Sequence, residues 1–125
     1  MCPDEERLVA RARDFRRAEQ LAERVADTMY ALSTPSRLLI LGCLLERPHT
    51  VSELTAALRM EQSAVSHQLR ILRDYDLVHR ERVGRLSVYS LYDEHIAALL
   101  DEARRHAEHQ MQGGRRRRYA QRGAG

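Results

Sequence analysis

The sequence predicts a mainly α fold in which four helices precede a β-hairpin and a fifth helix follows it. Residues 60 to 78 have the apolar spacing of an amphipathic helix, and residues 93 to about 110 repeat that pattern. Between them, residues 77 to 91 alternate apolar and polar side chains on both sides of Gly84, which indicates a hairpin with Gly84 in its tip. The order α-α-α-α-β-β-α is typical of an α+β winged helix-turn-helix domain.

Apolar periodicity and capping residues predict the first three helices. Residues 4 to 32 carry apolar side chains among many charges, which predicts one long helix or two shorter ones. Thr34-Pro35 is expected to open a second helix, apolar almost all round and therefore the core helix, which ends at Arg47-Pro48. Thr50-Val-Ser-Glu53 fits a capping box that opens a short third helix.

The fourth predicted helix has two faces that suit different surroundings. Val65, Leu69 and Leu72 recur at helical spacing and are expected to be buried. Most other side chains are short or forked hydrogen-bonding groups, which suit the DNA major groove, although a solvated surface helix would also have a polar face. The basic hairpin that follows favours a recognition helix. We expect DNA contacts from Ser63, Ser66, His67, Gln68, Arg70 and Arg73 of the helix and from Arg80, Arg82 and Arg85 of the hairpin.

Length and charge indicate one domain and a basic tail. A chain of 125 residues is small enough that dimerisation would help to stabilise it. All 21 basic residues are Arg, and five of them lie beyond Gly114, so the preceding residues carry 16 Arg against 18 acids. The overall charge of +3 is therefore weak evidence for nucleic acid binding. We expect one domain over residues 1 to 112 and a disordered Arg-rich tail over residues 113 to 125.

Cysteine usage and hydropathy bear on the cellular compartment. Cys2 and Cys43 form neither a disulfide framework nor a paired-thiolate metal motif, which favours a reducing compartment. The N-terminus lacks a basic start and an apolar core, and the longest near-apolar run, residues 38 to 45, is too short to cross a bilayer. We expect a cytoplasmic protein without a membrane partner, in which Cys43 is packed against other residues.

Four side chains of the last predicted helix are potential metal ligands: Asp93, His95, His106 and His109. At about 100° per residue, the three histidines fall within roughly 60° of one another, beside an apolar stripe. His106 and His109 are one turn apart, but roughly 16 Å along the helix separates His95 from His106. An antiparallel pair of such helices would bring Asp93 and His95 of one subunit beside His106 and His109 of the other.

This pattern predicts a homodimer together with a metal. Each of two symmetry-related sites would have three imidazoles and one carboxylate, a set that suits tetrahedral Zn²⁺ and leaves no position for a catalytic water. The alternative is that the histidines are ordinary surface residues and that Asp93 only caps the helix. The shared spacing of all four ligands favours the metal site.

Four segments carry a resemblance to a known family. They are Ala31-Leu-Ser-Thr-Pro-Ser-Arg-Leu-Leu-Ile-Leu41, Ser63-Ala-Val-Ser-His-Gln-Leu-Arg-Ile-Leu72, the hairpin end Val88-Tyr-Ser-Leu-Tyr92, and Asp93-x-His95 with His106-x-x-His109. Together they cover about residues 20 to 110 and resemble the ArsR/SmtB family of metal-responsive winged-helix repressors. The last segment is similar to the inter-subunit site on the C-terminal helices of the family's zinc and cobalt or nickel sensors.

The resemblance implies a repressor that dimerises through its N- and C-terminal helices. It would bind double-stranded operator DNA and leave it when Zn²⁺, or Ni²⁺ or Co²⁺, binds at Asp93, His95, His106 and His109. The resemblance also implies a hydrogen bond from the second ring nitrogen of His106 to main chain near Asp76, at the end of the recognition helix. Metal would then select a dimer in which the two recognition helices are poorly spaced for DNA.

Departures from the family pattern limit the choice of metal. Residues 53 to 57 contain no cysteine, so the thiolate pair of the arsenic, cadmium and lead sensors is absent. No histidine lies in residues 1 to 48 or after His109, which favours Zn²⁺ over six-coordinate Ni²⁺. An enzyme is not expected, because the chain lacks a His-Glu-x-x-His arrangement. A winged-helix regulator that responds to redox state or to a protein partner remains an alternative.

Overall fold

The computed structural model describes residues 2 to 113. The predicted tail therefore lies, apart from Gly113, outside the described residues, and its disorder and the domain boundary stay predictions. Over the described range the elements are α1 (Pro3–Ala31), α2 (Pro35–Glu46), β1 (His49–Thr50), α3 (Val51–Leu58), α4 (Gln62–Asp74), β2 (Val78–Val83), β3 (Leu86–Leu91) and α5 (Glu94–Gln112).

The predicted fold class is confirmed, and one strand was missed. The helices and the hairpin occur in the predicted order, and a single long helix, α1, covers residues 4 to 31 of the range predicted as one helix or two. The missed strand, β1, pairs antiparallel with β3 through His49 and Tyr89 and through Thr50 and Val88, so the sheet order is β1-β3-β2. Two residues are too few to show an alternating pattern, so sequence periodicity had no signal for β1.

The predicted caps form as expected. The Thr34 hydroxyl accepts the Arg37 backbone N–H at 3.4 Å, with Pro35 in the first turn of α2. In the capping box of α3, Thr50 Oγ1 accepts the Glu53 N–H at 3.2 Å, and a Glu53 carboxylate oxygen accepts the Thr50 N–H at 3.0 Å. Local sequence therefore determines where α2 and α3 begin.

A two-residue turn closes the wing hairpin of β2 and β3. Val83 pairs with Leu86, which leaves Gly84 and Arg85 as the connection. Gly84 has a φ of +64°, whereas Arg85 has no positive φ. Positive φ at only the first central position is the pattern of a type II′ turn, where glycine adopts the left-handed conformation without steric cost.

The core lies between α2, α3, α4 and the sheet. Ile40 and Leu41 of α2 are fully buried, so α2 is a core helix as predicted. Leu38 and Leu39 are 42% and 57% exposed, so α2 is buried on one face only, although its sequence is apolar almost all round. Cys43 packs against this core as predicted. The buried apolar residues are Ala31, Ile40, Leu41, Leu44, Leu54, Val65, Leu69, Leu72, Leu77, Val78, Tyr89 and Leu100.

The two long terminal helices contribute little to that core. Among the described residues, Ala31 at the end of α1 and Leu100 of α5 are their only buried apolar side chains. Leu8 and Phe15 of α1 are each 65% exposed, and Met111 of α5 is 76% exposed. No single described helix is long and apolar enough to cross a membrane; α1 and α2 satisfy that criterion only as a pair, bent by 92°.

Candidate DNA-binding surface and metal centre

The recognition helix α4 separates apolar from polar side chains. Val65, Leu69 and Leu72 are fully buried against the core, as predicted. Viewed down the helix, Ser63, Ser66, His67 and Arg70 fall within about 100° of one another, on the side opposite that stripe. All four are exposed. This surface presents two hydroxyls, an imidazole and a guanidinium to an approaching ligand.

Gln68 and Arg73 lie on the flanks of the buried stripe and are half-buried. The Gln68 side-chain oxygen accepts a hydrogen bond from Arg37 Nη1 at 3.1 Å. This bond occupies the oxygen and leaves the amide NH₂ group as the donor. The sequence predicts Gln68 as a DNA contact, and the structure adds a bond to Arg37, a residue 31 positions away in the chain.

The wing carries the remaining predicted DNA contacts. Arg80 and Arg82 are two residues apart on β2 and therefore project from one face of the hairpin, while Arg85 lies in the turn. All three are exposed, and none forms an ion pair with another described residue. These positive charges are therefore available to phosphate oxygens.

Asp93 is the first of the four predicted metal ligands, and it is also a helix cap. One of its carboxylate oxygens accepts the Ile96 backbone N–H at 3.0 Å. Capping and metal ligation are compatible, because a carboxylate has a second oxygen with free lone pairs. Asp93 also lines an open groove of about 330 Å³, together with Arg24, Asp27, Thr28, Asp74, Tyr75, Asp76, Leu77, Tyr92 and Ile96.

The three histidines share one exposed side of the uninterrupted helix α5. His95, His106 and His109 are all exposed, whereas Leu100, on another side of the helix, packs into the core. Within residues 2 to 113 of one chain, no three His, Cys, Asp or Glu side chains are close enough to hold a metal ion together. The donor types suit zinc, but one chain does not bring enough of them together.

An ion-pair network occupies a different side of α5, about 140° from His106. Asp101 accepts one hydrogen bond from Arg104 at 2.7 Å and pairs with Arg105 at 3.1 Å, while Arg104 also pairs with Glu108. The hydrogen bond from Arg104 is the main reason that the pKa of Asp101 lies below its usual value. These carboxylates are therefore already engaged within the chain, in contrast to the exposed imidazoles.

Comparison with known proteins identifies the family. A family model described as "Bacterial regulatory protein, arsR family" matches residues 34–80. The HTH-type transcriptional regulator NmtR of Mycobacterium tuberculosis is 59% identical over 90 residues, which are 72% of this chain and 75% of NmtR. The transcriptional repressor SmtB homolog of Synechocystis sp. is 44% identical over 87 residues, which are 70% of this chain and 66% of that protein.

Solved structures agree with this assignment. The solution structure of apo-NmtR superposes with a TM-score of 0.64 and 58% identity, over 73% of this chain and 76% of that one. The homodimeric winged helix-turn-helix DNA-binding domain Mb0332 from Mycobacterium bovis superposes with a TM-score of 0.74 and 26% identity, over 81% of this chain and 94% of that one. The chain therefore belongs to the arsR family of bacterial regulatory proteins and is a winged helix-turn-helix transcriptional regulator, not an enzyme.

Proposed function

We propose that the protein is a homodimeric repressor that leaves its operator DNA when a metal ion binds between the α5 helices of the two subunits. One observation carries the proposal: Asp93 at the N-cap of α5 and the three histidines His95, His106 and His109 of α5 are all exposed, yet their spacing prevents one chain from gathering them. A second copy of α5, running antiparallel, supplies the missing ligands to each half-site.

Exposed apolar side chains on the terminal helices support a dimer. Leu8, Phe15 and Val25 of α1 are 65%, 65% and 51% exposed, and Met111 of α5 is 76% exposed. Burial of this apolar surface against a partner subunit would stabilise the dimer. The homodimeric relative Mb0332, which matches 81% of this chain, supports the same arrangement. The proposed interface uses α1 and α5 and leaves α4 and the wing free for DNA.

Zn²⁺ is the metal that the proposed ligand set suits best. Three imidazoles and one carboxylate complete a tetrahedral shell, and a closed shell of this kind is structural, not catalytic. Zinc would supply a fixed divalent charge that holds the two α5 helices in one arrangement. The resemblance to zinc and to cobalt or nickel sensors supports this choice, and Ni²⁺ or Co²⁺ is the alternative if further ligands complete an octahedron.

DNA is proposed to bind to the exposed face of α4 and to the wing. Ser63, Ser66, His67 and Arg70 would contact base edges in the major groove, because hydroxyl, imidazole and guanidinium groups pair with the donors and acceptors there. Arg80, Arg82 and Arg85 would bind phosphates, which should make the affinity strongly salt-dependent. Arg73, half-buried beside this face, would contribute a positive charge from its flank.

The decisive experiment measures DNA affinity with and without metal. The DNA is the tightest-binding duplex selected from a random library by the metal-free protein. Saturating Zn²⁺ should weaken its binding by about 5- to 150-fold, the usual range of allosteric coupling. His106→Ala should abolish this effect, whereas the control His79→Ala, which removes an exposed histidine of the wing, should retain it. If Zn²⁺, Ni²⁺ and Co²⁺ all leave the affinity of the wild type unchanged, the metal response is refuted.

The geometry of the site can be measured without knowing the operator. Titration of the metal-free dimer with Co²⁺ should give intense visible absorption that saturates at two ions per dimer, as expected for tetrahedral coordination. Weak bands at the same stoichiometry would indicate six-coordination and would favour the nickel or cobalt alternative.

A redox-sensing regulator is less well supported. Burial is the main cause that raises the pKa of the Cys43 thiol, with a smaller contribution from Glu46. A raised pKa lowers the thiolate fraction, and the thiolate is the reactive form. Cys2, the residue immediately before α1, is exposed. Loss of DNA binding on mild oxidation, absent in Cys2→Ser and Cys43→Ser, would favour this alternative over metal.

A further inference from the structure

The C-terminus of α1 is closed by a residue from the next helix. The last carbonyls of a helix have no intrahelical partner and carry partial negative charge. The last turn of α1 contains no basic residue of its own. Arg37 of α2 takes this role: its Nε donates to the Ala31 carbonyl at 2.6 Å, and its Nη2 donates to the Tyr30 carbonyl at 3.2 Å.

The same guanidinium also holds the recognition helix. Arg37 Nη1 donates to the side-chain oxygen of Gln68 at 3.1 Å, and Arg37 itself is only 6% exposed. The planar fork of a guanidinium fixes its donors relative to one another, so three bonds from one group define the position of α4 against α1. Charged hydrogen bonds with little exposure to water are also stronger than neutral ones.

Aromatic contacts add a second connection between the same helices. The guanidinium carbon of Arg37 lies 5.9 Å from the centroid of the Tyr30 ring, within the range of a cation–π contact. The Tyr30 ring in turn packs at 5.8 Å against Tyr75, the residue that follows α4. The last turn of α1 is therefore connected to the middle of α4 through Arg37 of α2, which bonds to Gln68, and contacts the residue after α4 directly through Tyr30 and Tyr75.

We infer that Arg37 is a positioning residue that fixes the recognition helix to the dimerisation helix, so that the placement of α4 on DNA follows the placement of α1 in the dimer. Gln68 is the receiving end of this link, in addition to any contact that its NH₂ group makes with DNA. The inference rests on the proposed function, because it takes α1 as part of the dimer interface. It identifies the residues through which a change in the arrangement of the two subunits would change the position of the DNA-binding surface.

Two substitutions test the link from its two ends. Arg37→Met removes all three hydrogen bonds and leaves Gln68 in place. Gln68→Met removes only the bond to Arg37 and keeps both carbonyl bonds that close α1, so it retains the fold even if Arg37→Met is poorly stable. Arg13→Met and Gln20→Met are the matched controls. Both residues are exposed on α1, more than about 100° around the helix from the exposed apolar residues Leu8 and Phe15, and neither hydrogen-bonds through its side chain to another described residue.

The measured quantity is the ratio of affinities for the selected duplex and for a duplex of shuffled sequence. Each substitution in the link should lower this ratio severalfold and by up to about tenfold, which corresponds to the stabilisation that one hydrogen bond to a charged group provides. The double variant should lose no more than either single variant, because one link is broken in every case. Dimer dissociation and Co²⁺ stoichiometry should be unchanged. The controls should keep the full ratio.

Other outcomes would overturn the inference. If Arg37→Met lowers only the melting temperature and keeps the ratio in the folded protein, Arg37 has a purely structural role. If Gln68→Met lowers the ratio and Arg37→Met does not, Gln68 acts on DNA by itself. These results do not depend on a metal response, so failure of the proposed metal site would leave them interpretable. If the metal response is intact, both link variants should also reduce the loss of affinity caused by Zn²⁺ severalfold.

Discussion

The DNA-binding head and the terminal helices differ in how completely one chain buries their apolar side chains. In the head, Leu54, Leu69 and Leu72 have no exposed surface. In α1, Leu8 and Phe15 each keep 65% of their surface exposed. The head is therefore complete within one chain, whereas the terminal helices leave apolar side chains exposed, which the proposed dimer interface would cover. The predicted metal ligands lie on or at the start of one of those helices, α5. We therefore expect the regulatory metal ion to bind in a region that a second chain has to complete.

The largest expected effect is on the free energy of unfolding, which a core substitution in the head should lower and a substitution in α1 should not. Leu69→Ala should lower the free energy of unfolding by about 2–5 kcal/mol, because it leaves a cavity in a fully buried site. Phe15→Ala should leave the unfolding of the head nearly unchanged and should raise the dissociation constant of the dimer. Chemical denaturation and sedimentation at several protein concentrations measure the two effects. Equal destabilisation of the head by both variants would contradict the comparison.

A glycine pair tests the head without changing the proposed interface. Gly84 has a φ of +64°, so Gly84→Ala should cost about 1 kcal/mol through backbone strain in the wing turn. Gly42 lies in α2, and apart from its chain neighbours and the backbone of its own helix no atom lies within 4 Å of an added Cβ, so Gly42→Ala should stabilise by about 0.5–1 kcal/mol. Thermal unfolding measures the change in stability of each variant and therefore its direction. The same sign for both variants, or a change in dimer dissociation, would argue against this account.

The smallest expected effect is a pH dependence within the head. The backbone hydrogen bond from Thr50, followed by the hydrogen bond from Arg47, lowers the pKa of Glu53 from its ordinary value of 4.5. A carboxylate with a depressed folded pKa stabilises the protein above its unfolded pKa, and this contribution is lost as the pH falls through the folded value.

Glu53→Gln keeps the capping hydrogen bonds and removes the charge. Wild type should therefore be slightly more stable than the variant at pH 7, and the difference should disappear as the pH falls well below 4.5. Urea midpoints at pH 7 and pH 3 measure it. A difference that persists unchanged at pH 3 would show that the charge of Glu53 is not its origin.

Local signals predicted most of the head. Thr34 and Thr50 cap the helices that their positions indicated, and Gly84 occupies the predicted turn. Each of these features depends on residues a few positions apart, so the sequence contains the complete signal. The strand β1 escaped prediction because two residues pair with a partner about 40 positions away.

Long-range contacts explain what the sequence did not reveal in the candidate site. The bond between Arg37 and Gln68 joins residues 31 positions apart, so the sequence predicts a DNA contact for Gln68 but gives no sign of this bond. Arg37, a charged residue near the start of the mostly apolar helix α2, was the available signal. The metal ligands stay a prediction for a different reason: periodicity places His95, His106 and His109 on one side of α5, but coordination requires the partner subunit.

Mixed dimers test most directly whether the metal site is shared between subunits. One chain carries Asp93→Asn and His95→Ala, where Asn preserves the helix cap, and the other carries His106→Ala and His109→Ala. Neither homodimer should bind Co²⁺ with wild-type affinity. The mixed dimer should bind one ion with wild-type affinity and the tetrahedral absorption, because one of its two sites recovers all four ligands. A mixed dimer that binds no more tightly than the homodimers would contradict the central claim that the site is built from both chains.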